Sequence, residues 1–194
     1  QHPLIDEIHV LYDTSKDTQK NELLDFLKEQ NVRIDYISGR ATYGQFFALA
    51  NKEYPHRRVI VTNADIYFNE TLQKLNQLDL RNSLLVITRW NLLPDGSKEV
   101  TKNYFTQQDD PGSHDTWIFE TPFPFIKGSD EVSMGIMGCD GKIAYLAYKA
   151  GLRLLNPCYT IECTHLHLSP VRHYWVESRY KGPLLNVPCS TLPL

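Results

Sequence analysis

The chain has 194 residues, 42% of them hydrophobic and 22% charged, with a net charge of −3. This length suits one domain with a sizeable core, and the composition is that of an ordinary soluble globular protein. The acidic balance argues against a broad nucleic-acid surface, no apolar run approaches bilayer length, and the opening "QHPLIDEIHV" lacks the basic and apolar regions of a signal peptide.

In chain order, "EIHVLYD" alternates in polarity and ends at Asp13, which predicts a strand. Asp17 and Thr18 are suited to cap a helix carrying Leu23, Leu24 and Leu27. "VRIDYI" predicts a second strand. "TYGQFFALAN" opens with Thr42 and Gln45 three residues apart, the spacing of a capping box, and places Phe46, Leu49 and Ala50 on one helical face. "RVIVTNADIYF" is an almost continuous apolar run, expected of a strand covered on both faces. "TLQKLNQL" predicts a short helix and "SLLVITRW" another buried strand.

Residues 91–113, "NLLPDGSKEVTKNYFTQQDDPGS", read as a long polar loop, a kind that is usually mobile or functional. "DTWIF" returns as a strand and "FETPFPFIKGSDEVSMGIMG" is again loop. "CDGKIAYLAYKAG" predicts a helix with Ile143, Leu146, Ala147 and Ala150 inward and Gly151 as its stop. "LRLLNP" and "YTIECTHLHLS" finish as strands, and the tail after Ser169 carries no clear pattern. The alternation of strand and helix predicts an α/β sandwich with a largely parallel central sheet. In such sheets ligands bind outside the carboxyl ends of the strands, where Asp13 and Asp65 fall.

The four cysteines, Cys139, Cys158, Cys163 and Cys189, fit neither a zinc spacing nor a disulfide scaffold. They read as ordinary buried or half-buried thiols, with a Cys158–Cys163 bridge left open. "NET" at Asn69 fits the glycosylation triplet, which also arises by chance.

Several side chains carry possible chemistry, each with a plain structural alternative. Asp65 in "VIVTNADIYF" is either turn chemistry at a strand end or a carboxylate held for a ligand. His165 and His167, two apart on a strand, share a face. They are either surface residues or, with Asp65, donors to a hard divalent cation that leaves room for diphosphate oxygens. Asp140 is either a helix N-terminal carboxylate favoured by the dipole or a general base. Trp117 and Trp90 either pack in the core or present flat apolar surface, and His114 and Asp115 stand at the mouth of the "SHDTW" strand. A metal-dependent hydrolase on Asp65, His165 and His167 would need more ligands than the loops offer beyond His114 and Asp115.

Taken in order, these segments bring a family into view. "DEIHVLYDTSKD" resembles the nucleotide-binding segment of family 2 glycosyltransferases, and "NADIYF" resembles their D-x-D strand end. "GCDGKIAYLAYKAGLRLLNP" is similar to their stretch of catalytic acid, helix, glycine and strand, and "HLHLS" to the histidine-containing strand that follows. The resemblance covers about residues 1–172.

It implies a GT-A fold, a Rossmann-like three-layer α/β/α sandwich with a mostly parallel sheet. It also implies metal-assisted transfer of a sugar from a UDP- or GDP-sugar to a glycan or other hydroxyl acceptor, with inversion. Asp13 would bind the base, Arg40 would lie near the nucleotide, and Asn63, Ala64 and Asp65 would meet ribose and diphosphate. Asp65, with His165 and His167, would hold Mn²⁺ or Mg²⁺. Asp140 would deprotonate the acceptor, with Asp115 as second catalytic candidate and Trp117, His114 and Trp90 around the acceptor. A non-catalytic nucleotide-sugar or glycan-binding relative is the alternative.

The sequence departs from the family in two respects. Asn63 replaces the first acid of D-x-D, and the family's usual first strand has no counterpart. The expectation is therefore a single catalytic domain over 1–194 that is a fragment of a longer chain.

Overall fold

The structure, a computed structural model, describes residues 2–16, 22–102, 112–166 and 178–192. The chain divides into two compact units, Gln1–Ala41 and Thr42–Leu194.

The first unit is a strand–helix–strand motif. β1 (His9–Asp13) and β2 (Arg33–Ile37) pair in parallel, His9 beside Arg33 and Asp13 beside Ile37. They are joined through α1 (Glu22–Glu29), because parallel neighbours need a crossover connection. The predicted caps Asp17 and Thr18 lie outside the described residues. On α1, Leu24 and Leu27 are half-buried, while Leu23 and Phe26 are exposed.

The second unit runs α2 (Tyr43–Glu53), β3 (Arg58–Thr62), β4 (Ile66–Phe68) and a 3₁₀ helix Glu70–Gln77. Then follow β5 (Ser83–Thr88), β6 (Trp90–Leu92), β7 (Lys98–Val100), β8 (His114–Glu120), α3 (Cys139–Lys149), β9 (Arg153–Leu155) and β10 (Cys163–His165). The Thr42–Gln45 capping box is present on α2: the Thr42 hydroxyl accepts the Gln45 N–H at 3.2 Å and Gln45 Oε1 accepts the Thr42 N–H at 2.9 Å. Its buried face is Tyr43, Phe47 and Ala50, one residue round from the expected Phe46, Leu49 and Ala50. Likewise Ile143 and Ala147 of α3 are buried, but Ala150 is exposed where the helix ends.

The protein is mixed α/β, with both parallel and antiparallel strand pairs. One four-stranded sheet has the order β3-β8-β5-β9. β8 runs antiparallel to both β3 and β5, and β9 runs parallel to β5. Where a mostly parallel sheet is expected, two of this sheet's three pairings are antiparallel, because β8 runs reversed between β3 and β5. β5 is buried at every position, its apolar run 84–87 flanked by the buried hydroxyls of Ser83 and Thr88. Leu84, Val86, Trp117 and Phe119 join Phe47, Ile143 and Ala147 in the main core, and the alternate residues Leu85, Ile87 and Ile118 are fully buried on the other face. Among the core rings, Tyr43 meets Trp117 edge-on at 4.8 Å and Phe119 meets Phe123 at 4.3 Å.

A second sheet has the order β4-β10-β6-β7. Two predicted strands are in fact divided between the sheets. "RVIVTNADIYF" breaks after Thr62, where the Ile66 N–H bonds the Asn63 carbonyl at 3.3 Å in a turn, and β4 then pairs with β10. "SLLVITRW" breaks at Arg89, and Trp90 opens β6. The expected loop 91–113 contains the rest of a hairpin, β6 against β7, turned through Pro94-Asp95-Gly96 with Gly96 at φ 83°. Among the described residues no helix is long and apolar enough to cross a membrane.

Candidate functional site

β3 and β5 both hand the chain to the second sheet at their carboxyl ends, and β8 begins at that same edge. The edge therefore collects residues 62–65, 88–91 and 113–115, with His165 ending β10 alongside.

Asp115 lies at its centre. Between β8 and β5 the register moves from Ile87 opposite Thr116 to Thr88 opposite His114, so Asp115 is the extra residue of a β-bulge. Bulges re-aim side chains, and this one carries a carboxylate into a ring of donors. Asp115 Oδ1 accepts from Asn63 Nδ2 at 2.7 Å, Oδ2 accepts from Ser113 Oγ at 2.5 Å, and Arg89 Nη1 lies 3.3 Å from Oδ2. Arg89 Nε in turn donates to Asn91 Oδ1 and Thr101 Oγ1, at 3.1 and 3.2 Å. Burial pushes the Asp115 pKa up, against the pull of Arg89 and of the Ser113 hydroxyl; the nearby Asp140 charge adds to the rise.

Asp65 stands in the turn between β3 and β4, its side chain half exposed. Its Oδ2 lies 2.9 Å from Nε2 of the buried His165, and its carbonyl accepts the Leu166 N–H at 2.9 Å. The hydrogen bond from His165 holds the Asp65 pKa below the usual carboxylate value, against a smaller rise from burial; the charge of Arg89 adds to the lowering. The turn chemistry expected of this stretch is present, since Asn63 closes the turn, and the Asp65 carboxylate that the turn presents is held by His165. The expected partner His167 lies outside the described residues. Among the described residues no three His, Cys, Asp or Glu side chains gather as a metal-binding group.

Asp140, in the first turn of α3, accepts the His114 backbone N–H through Oδ2 at 3.1 Å. The chain enters this helix through Gly138 at φ 79°, a left-handed conformation that favours glycine. His114 itself is buried, its Nε2 accepting the Val187 N–H at 3.3 Å, and burial lowers its pKa. It is a packed residue of β8 rather than an acceptor contact. Trp117, expected at a sugar, is 1% exposed and wedged against Tyr43, which leaves no surface for a ligand. Trp90 is half-buried, and its indole N–H donates to the Cys158 carbonyl at 2.9 Å. Ala64 is exposed at the tip of the turn.

Asp13 and Arg40 belong to the first unit. Asp13 Oδ1 accepts the N–H groups of Ser15 and Gly39 at 2.9 and 2.8 Å, which ties the ends of β1 and β2 together. Arg40 follows Gly39 and is exposed.

Arg89, Ser113 and Asn156 went unnoticed in the sequence. Asn156 Oδ1 accepts the Thr88 N–H at 3.0 Å while Nδ2 donates to Thr88 Oγ1 at 2.9 Å and to the Val187 carbonyl at 2.7 Å. An arginine inside the buried run "SLLVITRW" was the available signal, since such a charge needs a partner. Comparison with models of protein families, with curated proteins and with solved structures finds no match.

Proposed function

We propose that this protein is a GT-A-type, nucleotide-sugar-dependent glycosyltransferase whose sheet edge binds the diphosphate of a UDP- or GDP-sugar. The observation that carries the reading is the contact of Asp65 with His165 at the carboxyl end of β3. Asp65 and His165 would hold Mn²⁺ or Mg²⁺ where the ion takes the place of their hydrogen bond, with diphosphate oxygens for the remaining positions. Such an ion, when bound, supplies Lewis-acid stabilisation to the leaving nucleoside diphosphate.

The remaining chemistry belongs to the side chains. Asp140 is the proposed general base, taking the proton of an acceptor hydroxyl so that its oxygen attacks the anomeric carbon opposite the diphosphate, with inversion. The His114 N–H that bonds Oδ2 orients it. Asp115 is better suited to positioning than to proton transfer: it is 5% exposed and its oxygens are occupied by Asn63, Ser113 and Arg89. The assignment of Asp13 and Arg40 to the nucleotide, and the three-layer form of the fold, rest on resemblance of sequence.

A second reading, a non-catalytic binder of nucleotide sugars or glycans, is favoured by one observation: Asn63, in place of the first D-x-D acid, is tied to Asp115. Calorimetric titration with UDP-, GDP- and dTDP-sugars, with and without Mn²⁺, tests the common ground. Binding is expected to depend on Mn²⁺ and to weaken about tenfold or more in Asp65→Ala; no binding in any condition overturns the transferase reading and the nucleotide-sugar form of the second. Asp140→Asn then separates them, because the transferase reading expects donor binding kept and transfer lost.

A further inference from the structure

The C-terminal residues 178–192 form no regular strand, yet they are fastened along the site-bearing unit by a series of bonds. Tyr180 N–H donates to the Met137 carbonyl at 3.0 Å, Leu185 N–H to Gly141 at 2.9 Å and Val187 N–H to the His114 ring at 3.3 Å. Ser190 N–H donates to the Asn156 carbonyl at 2.8 Å, and Leu192 N–H to the Thr160 hydroxyl at 2.9 Å. The segment thus passes the start of α3, the start of β8 and the end of β9.

Two of these residues bring a pair of thiols together. The Asn156 carbonyl receives the Ser190 N–H, and the Ser190 carbonyl receives the Tyr159 N–H at 3.3 Å, so residues 156–159 lie alongside 189–190. Asn156 Nδ2 lies 3.7 Å from Cys189 Sγ, and the backbone bonds between 156, 159 and 190 set Cys158 alongside Cys189. The other two cysteines point elsewhere: Cys139 Sγ lies 3.6 Å from Tyr43 Oη, and Cys163 Sγ lies 3.7 Å from the Thr88 carbonyl.

We propose that Cys158 and Cys189 are a modification site, a dithiol that a small-molecule disulfide such as oxidised glutathione converts to an intramolecular disulfide clasping the C-terminal segment to the site-bearing unit. The order of attack follows from exposure. Cys189 is half-buried, whereas Cys139, Cys158 and Cys163 are buried. Hydrogen bonds from Cys158, Thr88, Tyr159 and Asn156 favour the Cys189 thiolate, while the same contact and burial push Cys158 up.

The Cys189 thiolate attacks one sulfur of the reagent, forming a mixed disulfide and expelling one glutathione thiolate. Cys158 then gives up its proton to that thiolate or to water and attacks Cys189 Sγ, expelling the second glutathione. One S–S bond is broken and one formed overall. The reagent is reduced by two electrons to two thiols, and the protein is oxidised by two electrons. The product ties 189 to 158 covalently and holds Val187 against His114 and Asn156.

The test uses the full chain. After treatment with oxidised glutathione and removal of the reagent, the chain is denatured and alkylated with iodoacetamide without reductant, then digested and mapped by mass. Two of the four cysteines are expected to be alkylated, with a reductant-sensitive peptide pair joining Cys158 to Cys189. Cys163→Ser should give the same pair, and Cys158→Ser should stop at glutathione on Cys189. Alkylation of all four cysteines, glutathione persisting on wild-type Cys189, or a bridge through Cys163 or Cys139 overturns the proposal.

Discussion

His165 Nε2 lies 2.9 Å from Asp65 Oδ2 across 100 residues of chain. The antiparallel pairing of β10 with β4 creates this contact, because it sets His165 opposite Ile66, the residue after Asp65. The Leu166 N–H then closes on the Asp65 carbonyl, so the turn that presents the carboxylate is held from both sides.

This pair predicts an acid-labile contribution to stability. The folded pKa of Asp65 is below the ordinary 3.8, so its stabilisation is present above that value and lost as pH falls through the folded value. The side chain is 52% exposed, so solvent and salt screen most of the effect. Urea unfolding of Asp65→Asn should show a flatter decline than wild type below pH 3.8, and the difference should shrink with added salt.

The Asp115–Arg89 pair is the buried counterpart. Asp115→Ala strands the Arg89 guanidinium, whose side chain is 20% exposed, and should cost about 3 kcal/mol in chemical denaturation. Arg89→Met in the same chain should recover much of that loss, since the stranded charge goes with it. A double mutant as unstable as the sum of the two single changes would remove the ion pair from the account.

The pH response of Asp115 runs opposite to that of Asp65. Its folded pKa is raised above 3.8, so its contribution is fully present below that value and is lost as pH rises through the folded value. Asp115→Asn should therefore lose less stability than wild type as pH is raised from 3.8 through that value, as read from unfolding midpoints.

His114 supplies a third pH signature. Burial sets its folded pKa below the ordinary 6.5, so the unfolded chain binds more protons between the two values. Stability is present above 6.5 and falls as pH drops toward the folded value. His114→Gln keeps an acceptor for the Val187 N–H, should cost about 1 kcal/mol at neutral pH, and should flatten the profile over that window.

Packing at the start of α2 yields a prediction of another kind. Tyr43 N–H bonds the Val132 carbonyl at 2.9 Å, drawing the helix onto residues 129–133. A Cβ at Gly44 would fall on the Asp130 carboxylate and lie 2.9 Å from the Asp130 backbone nitrogen. Gly44→Ala should cost about 1–3 kcal/mol in thermal unfolding, and less in an Asp130→Ala background, where only the backbone approach remains.

Local pattern alone was enough for several features. The Thr42–Gln45 capping box, the helix from Cys139 and the buried β5 were legible because each depends on neighbours a few residues apart or on an apolar run. Asp65, Asp115, Asp140 and His165 stood out because polar groups at strand and helix ends invite a reason.

Tertiary structure decided how these residues are used. Apolar content cannot say where a strand leaves its sheet, so the breaks after Thr62 and Thr88 were invisible, and with them the second sheet. Trp117 and His114 suit a core as well as a ligand surface, and burial settled both for the core. The bulge at Asp115 depends on register with β5, and its ring of Asn63, Ser113 and Arg89 comes from three separate stretches of chain. Sequence determined which side chains could carry chemistry; only long-range pairing decided that Asp65 meets His165 and that Asp115 is spent on holding the edge, because contacts between distant segments leave no local pattern to read.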